Sequence, residues 1–300
     1  MAFNILDFLY RRGLLSSTAD ITVTCLTGGF WNDNFRVTGA GVDWVVKYYR
    51  KEQRESLFPN LPDSEARALE ILRSAGVAPE PVAFSPADDA TPVLVYKYWP
   101  GDPWRQDVVP VARLLHRLHR VPVDRLDGFR ALPVDPEDIL EQGDHLLAPV
   151  PQNELAVRLR SVRPAPVDGP APECPSLVHT DVGAGNLIAG PGGIRLIDWQ
   201  CPGIGDPAED LWTFLSPAFQ ILFDHAPLTP QECETFLMAY GEKKTQARLA
   251  YLAPYFAYRM AAYCCLRRHE LAAHKAALSD HYRRGTVAQV ATLSQPETGQ

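Results

Sequence analysis

Over the first hundred residues the hydrophobic positions come mostly in short runs with a period near two. Residues 21–27 alternate β-branched and polar side chains and read as a strand. Residues 35–38 return as a second strand, 44–49 (WVVKYY) form a third, and 81–85 and 92–98 supply two more. One helix interrupts them over 63–75, with Asp63 or Ser64 as its cap and Leu69 and Leu72 on its core face. The opening residues, MAFNILDFLYRRG, read as a short docked helix.

From residue 109 the period changes. Val111, Leu114, Leu115 and Leu118 fall at i, i+3, i+4 and i+7 behind Pro110, which marks a helix over 109–120. Further helices read over 135–147, 153–162, 211–223, 229–240, 244–268 and 274–293. The Pro-rich stretch 163–175 is an extended connector. Short strands return at 176–179, 187–189 and 194–197, the last two joined by Gly-Pro-Gly-Gly, a hairpin turn. The sum is an α+β chain. An N-terminal antiparallel sheet with one main helix occupies 1–98, and a larger, mostly helical lobe occupies 99–300.

The late strand island also carries the densest chemistry. Residues 177–200 read LVHTDVGAGNLIAGPGGIRLIDWQ and hold His179, Asp181 and Asn186 in the spacing H-x-D-x-x-x-x-N, then Asp198 past the hairpin. Three oxygen-bearing side chains at one end of a small sheet suit a hard cation such as Mg²⁺ and a base that accepts a hydroxyl proton. Taken alone, the spacing also fits an ordinary polar loop.

This segment resembles the catalytic core of the aminoglycoside phosphotransferase and choline kinase group, relatives of the protein kinases. The resemblance implies a two-lobed, protein-kinase-like fold and an ATP- and Mg²⁺-dependent kinase that phosphorylates a small-molecule hydroxyl acceptor. It implies that Asp181 is the catalytic base, with Asn186 and Asp198 as metal ligands. His179 and Asp210, in the "GDPAEDLW" that follows, would support the loop from behind, and Asp206 would cap the next helix. Lys47 stands where this fold keeps the lysine for the α and β phosphates, and Glu65 where it keeps that lysine's carboxylate partner. By themselves, a Lys in an apolar strand and a Glu on a helix are as readily solvent-facing. Gly28-Gly29 matches the nucleotide-covering turn, and Lys97 and Trp99 match the hinge whose backbone holds adenine, with Tyr96 behind the base. The resemblance implies that Asp181, Asn186, Asp198 and Lys47 surround one nucleotide–magnesium cleft.

The acceptor stays open within the group, which covers choline, ethanolamine, thiamine, methylthioribose, homoserine and aminoglycosides. The hinge reading LVYKYWPG leans to the bacterial choline/ethanolamine branch. Trp104, Trp199, Trp212 and the tyrosines of 244–268 are core or acceptor-pocket residues, and a Trp face would suit a quaternary ammonium. Gln200 replaces the family's usual Glu, which removes a charge near the acceptor and argues against a polycationic aminoglycoside. A nucleotide-binding protein without transfer is the alternative from another class. A protein kinase is a further alternative, against which Thr180 in place of Arg and the lack of room for an activation segment between Asp198 and Asp206 both count.

Composition narrows the partners. With 300 residues, 46% hydrophobic and 22% charged, the chain is long enough for two globular lobes. A net charge of −7 argues against nucleic acid. No apolar run reaches the ~20 residues of a membrane span, and no secretory signal pattern opens the chain. Six cysteines without a C-x-x-C pair fit a reducing cytoplasm. His116 and His119 flank the stripe of helix 109–120 without a metalloprotease spacing and read as structural.

Overall fold

A computed structural model describes residues 3–26, 32–50, 56–122, 127–172 and 175–294. They cluster into two compact units: Met1–Asp102 with Ile188–Pro202, and Pro103–Leu187 with Gly203–Gln300. The first boundary thus falls four residues beyond the expected 98/99. The hairpin segment 188–202, expected in the C-terminal lobe, packs with the N-terminal unit.

The first unit opens with α1 (Ile5–Arg11), then β1 (Thr22–Leu26), β2 (Asn32–Gly39), β3 (Val42–Tyr49), α2 (Pro62–Leu72), β4 (Pro81–Pro86) and β5 (Pro92–Lys97). The strands form one antiparallel sheet in the order β1-β2-β3-β5-β4. Ile5, Phe8 and Leu9 of α1 bury themselves with Val37, Val46, Val93 and Val95 of the sheet. Ala68, Leu69 and Leu72 supply the buried stripe of α2. This helix starts ahead of the cap expected at Asp63 or Ser64. Its N-cap is Leu61 and Pro62 opens the first turn, where a residue without an N–H leaves one fewer donor to satisfy.

The remaining elements are β6 (Asp102–Pro103), α3 (Val108–Leu118), β7 (Arg130–Ala131), α4 (Pro136–Leu147), α5 (Glu154–Ser161), β8 (Ser176–Val178), β9 (Leu187–Gly190), β10 (Gly193–Leu196) and β11 (Gly203–Gly205), followed by α6 (Ala208–Leu215), α7 (Pro217–Leu222), α8 (Pro230–Tyr240), α9 (Lys243–Leu271) and α10 (Ala276–Leu293). In the first unit, segment 188–202 lies against the hinge. A Cβ on Gly101 would sit 2.3 Å from the Ala189 carbonyl oxygen, and one on Gly190 would sit 2.0 Å from that of Pro100. Only glycine permits that approach of two backbones.

In the second unit β11 lies between β8, antiparallel, and β7, parallel. The helix expected over 211–223 is two helices. Ser216 precedes Pro217 and takes an extended backbone (φ −64°, ψ 125°), so α6 ends and α7 begins there. The Pro-rich connector lies along α9. Tyr251 donates to the Val167 carbonyl at 2.6 Å, the Val167 N–H donates to the Tyr255 hydroxyl at 3.3 Å, and Arg248 donates to the Pro170 carbonyl at 2.5 Å. Among the described residues no helix is long and apolar enough to cross a membrane.

Candidate active site

In the first unit, Lys47 lies on β3 opposite Asn34 of β2 and Leu94 of β5. Its ammonium is 2.6 Å from Glu65 Oε2 on α2 and 2.5 Å from Asp198 Oδ1 just past β10. Lys47 and Glu65 are buried, while Asp198 keeps 36% of its side chain exposed. Tyr49 donates a further bond to Glu65 Oε2 at 2.6 Å. Burial opposes a charged ammonium, but Asp198 and then Glu65 outweigh it, and the Lys47 pKa is raised. Burial lifts the Glu65 pKa against the pull of Lys47. One cation thus faces two carboxylates, of which the solvent-facing one can exchange its partner for a ligand.

The turn after β10 fixes that exposed carboxylate. Asp198 has φ +62°, the left-handed region that Asp tolerates better than most residues. The Trp199 indole N–H donates to the Leu196 carbonyl at 2.8 Å. The Gln200 carbonyl accepts from the Leu61 N–H at 2.9 Å, and its side-chain oxygen accepts from Asn32 at 3.3 Å. Gln200 is therefore buried among amides of its own unit, and the expectation that it shapes charge beside an acceptor is corrected.

In the second unit, loop 179–186 is held from behind. Asp210 of α6 is fully buried, and its two oxygens accept the Thr180 N–H at 2.7 Å and the His179 N–H at 2.9 Å. Thr180 sits at φ +69°, costly for a β-branched residue, and Asp210 holds it there. The Asp181 N–H donates to His179 Nδ1 at 3.2 Å. Asn186 Nδ2 donates to the Asp181 carbonyl at 2.9 Å and to its Oδ2 at 3.0 Å. Asp181 and Asn186 thus meet in one loop, with the amide oxygen of Asn186 as that group's one acceptor.

His119 is a member that sequence reasoning assigned only to structure. From α3 its Nε2 donates to Asp210 Oδ2 at 3.1 Å, and its Nδ1 lies 3.0 Å from the Tyr240 hydroxyl. Asp210 therefore carries three donors, two from the backbone and one from His119. The available signal was Leu118-His119 at the end of an amphipathic helix.

Other expected positions fare differently. Gly28 and Gly29 lie outside the described residues. The Lys97 N–H already donates to the Glu80 carbonyl at 2.8 Å and its ammonium pairs with Glu80 Oε2, so this amide is not available to adenine. Trp99 packs its ring beneath the Arg195 guanidinium, 4.3 Å from the centroid, and Tyr96 is buried. Trp104, Trp199 and Trp212 are 4%, 1% and 8% exposed and pack in the interior. Tyr251, Tyr255 and Tyr258 are taken up by the connector and by Asp144.

As a metal site, the chain supplies few ligands. Among the described residues no cluster of three or more His, Cys, Asp or Glu could hold an ion. Mg²⁺ needs no such cluster, since it takes one or two protein oxygens and completes its shell with water and phosphate. The exposed carboxylate of Asp198 and the amide oxygen of Asn186 are oxygen donors of that kind.

The profile of the phosphotransferase enzyme family matches residues 22–255. Thiamine kinases of Shigella boydii and Escherichia coli are each 32% identical over 197 residues, 63% of this chain and 64% of theirs, so the match spans less than two thirds of those relatives. Among solved structures, a spectinomycin phosphotransferase in complex with ADP and spectinomycin superposes with a TM-score of 0.68 at 13% identity, covering 97% of this chain and 98% of that one. A choline/ethanolamine kinase family protein from Mesorhizobium loti gives 0.63 at 17% identity over 96% and 99%, and a choline kinase from Streptococcus pneumoniae gives 0.63 at 20% over 95% and 98%. At these identities the solved structures establish the shared α+β, protein-kinase-like fold.

Proposed function

The chain belongs to the phosphotransferase enzyme family, and from that premise we propose that it transfers the γ-phosphoryl group of ATP to a hydroxyl of a small organic acceptor. The observation that carries the reading is the buried Lys47, neutralised by Glu65 and by the half-open Asp198. A buried cation with one exchangeable anionic partner is what a triphosphate requires.

Each residue then has a chemical task. Lys47 binds phosphate oxygens, and Glu65 keeps its ammonium aimed. Asp198 and Asn186 hold Mg²⁺, which when bound offsets charge on the transferring group. Asp181 accepts the acceptor's hydroxyl proton and orients its oxygen, while Asn186 fixes the Asp181 carboxylate through Nδ2. Asp210 and His179 maintain the loop that presents Asp181. The backbone around Trp99 remains the hinge candidate for adenine, and Gly28-Gly29 the phosphate-covering turn.

For the acceptor we favour a hydroxyethyl-bearing cation of the thiamine type. Thiamine kinases are among the sequence relatives, at 32% identity. Choline and ethanolamine, expected from the hinge, are the runner-up acceptors. An ADP-release panel with thiamine, choline, ethanolamine, methylthioribose, homoserine and an aminoglycoside tests this. Thiamine should give the highest kcat/KM; faster turnover of choline restores the earlier reading, and no turnover with any acceptor favours a nucleotide-binding protein.

A further inference from the structure

Beside the ionic triad stands a second, uncharged one. Asn32 Nδ2 donates to Asn60 Oδ1 at 3.1 Å and to Gln200 Oε1 at 3.3 Å, and Asn60 Nδ2 returns a bond to Asn32 Oδ1 at 2.9 Å. Asn32, Asn60 and Gln200 are 5%, 1% and 7% exposed. Three buried carboxamides with mutually satisfied partners form a network whose geometry is costly to change.

The three come from the segments that supply the ions. Asn32 opens β2, whose Asn34 pairs with Lys47 across the ladder. Asn60 precedes Leu61, the N-cap of α2, and α2 carries Glu65. Gln200 follows Asp198 by two residues, and its backbone carbonyl is tied to the Leu61 N–H as well. The same strand pair, helix start and turn are thus joined twice, once by charge and once by neutral amides.

The two sets respond differently to a ligand. When phosphate and Mg²⁺ arrive, the contact between Lys47 and Asp198 has to loosen, because both groups acquire new partners. An ionic clamp alone would release the Asp198 turn at the moment it is needed, and that turn already holds a left-handed Asp. The amide set carries no charge that the ligand titrates or displaces.

We propose that Asn32, Asn60 and Gln200 are positioning residues that keep Asp198 in its metal-binding pose while Lys47 moves to the nucleotide. The inference rests on the nucleotide reading given above. It assigns Gln200 a role in nucleotide and metal handling rather than in acceptor choice. It requires only an acceptor oxygen at Gln200, which a carboxylate also provides.

The test uses the full chain and three variants, Gln200→Leu, Gln200→Glu and Asn32→Asp. Each is measured by thermal shift without ligand, with ATP alone and with Mg·ATP, and by KM for each substrate. Gln200→Leu leaves Asn32 Nδ2 with only its Asn60 acceptor and should raise KM for Mg·ATP about tenfold, with acceptor KM within twofold and most of the Mg²⁺-dependent part of the thermal shift lost. Asn32→Asp, which faces two amide oxygens with a carboxylate, should do the same more strongly. Gln200→Glu should restore affinity to within about threefold of the parent. A Gln200→Leu protein that keeps the full Mg·ATP shift overturns the proposal, as does one that loses both substrates equally in step with its unliganded melting temperature. If the parent protein shows no Mg·ATP shift, the nucleotide reading fails, and this proposal fails with it.

Discussion

The two constellations hold their functional carboxylates by opposite means. In the first unit Asp198 is held by a charge, the Lys47 ammonium, which a ligand can draw away. In the second, Asp181 sits in a loop whose backbone is held by a carboxylate, Asp210, sealed from solvent and committed to three donors. A charged partner makes a site responsive, because it has a substitute in any incoming anion or metal. Backbone donors on a buried acceptor make a site rigid, because nothing that binds competes for them. On the proposed function, the phosphoryl donor site calls for the first property, and a base that must aim at one oxygen calls for the second.

The sharpest way to break this contrast is Asp181→Asn. Transfer should fall by about 10²–10⁴-fold while calorimetric ATP affinity stays within a few-fold. Equal losses in binding and transfer would make Asp181 part of the nucleotide site instead. Next is Lys47→Met. It leaves Glu65 buried with no cation, so chemical denaturation should show a loss of about 3–5 kcal/mol, together with collapse of nucleotide affinity. An undiminished stability would mean that Glu65 is neutral in the parent protein.

Asp210→Asn comes third. One of the two acceptor oxygens becomes a donor facing a backbone N–H or His119, a cost of about 1–3 kcal/mol. Since that cost falls on the loop, kcat should drop about tenfold or more with KM for ATP unchanged. A KM effect on ATP would sink the separation between the two regions.

The smallest effect is an alkaline pH response shared by both units, since burial also raises the pKa values of Tyr240, Tyr258, Tyr263 and Cys264 in the second. Lys47 and Tyr49 both have raised pKa values, Lys47 through Asp198 and Glu65 acting against burial, Tyr49 through burial and Glu65. Above about pH 10 the unfolded chain sheds these protons while the folded one keeps them, so the folded state binds more protons and stability falls as pH rises. Urea midpoints should be flat near neutrality and decline above about pH 10. Lys47→Met should blunt the decline.

Much of this was legible from residue pattern. The short run WVVKYY over 44–49 located β3, buried on both faces over Val45–Lys47, and the i, i+3, i+4, i+7 stripe of 109–120 located α3, buried on one face. The pairing of Lys47 with Glu65, and of Asp210 with the loop backbone, agrees with what the family resemblance implied. What escaped has a common cause. β11 is Gly-Ile-Gly and β7 is two residues, too short and plain to carry a period. The buried pairs Arg248–Asp206 and Arg259–Glu209 join residues 42 and 50 positions apart, and no local spacing encodes them. Gln200 was misread because its side chain answers to Asn32, 168 residues away. The commitment of the Lys97 N–H to the Glu80 carbonyl was likewise not legible from sequence.

The membership of residues 188–202 in the first unit has a consequence for synthesis. A ribosome delivers Lys47 and Glu65 early, yet Asp198 and Gln200 emerge some hundred and fifty residues after Lys47. At about 5–20 residues per second the nascent N-terminal sheet waits roughly ten seconds or more for its last hairpin. During that interval Lys47 has one carboxylate instead of two and Asn32 one amide acceptor instead of two. A gene fragment ending near residue 102 would encode that waiting state, not a separable nucleotide-binding module.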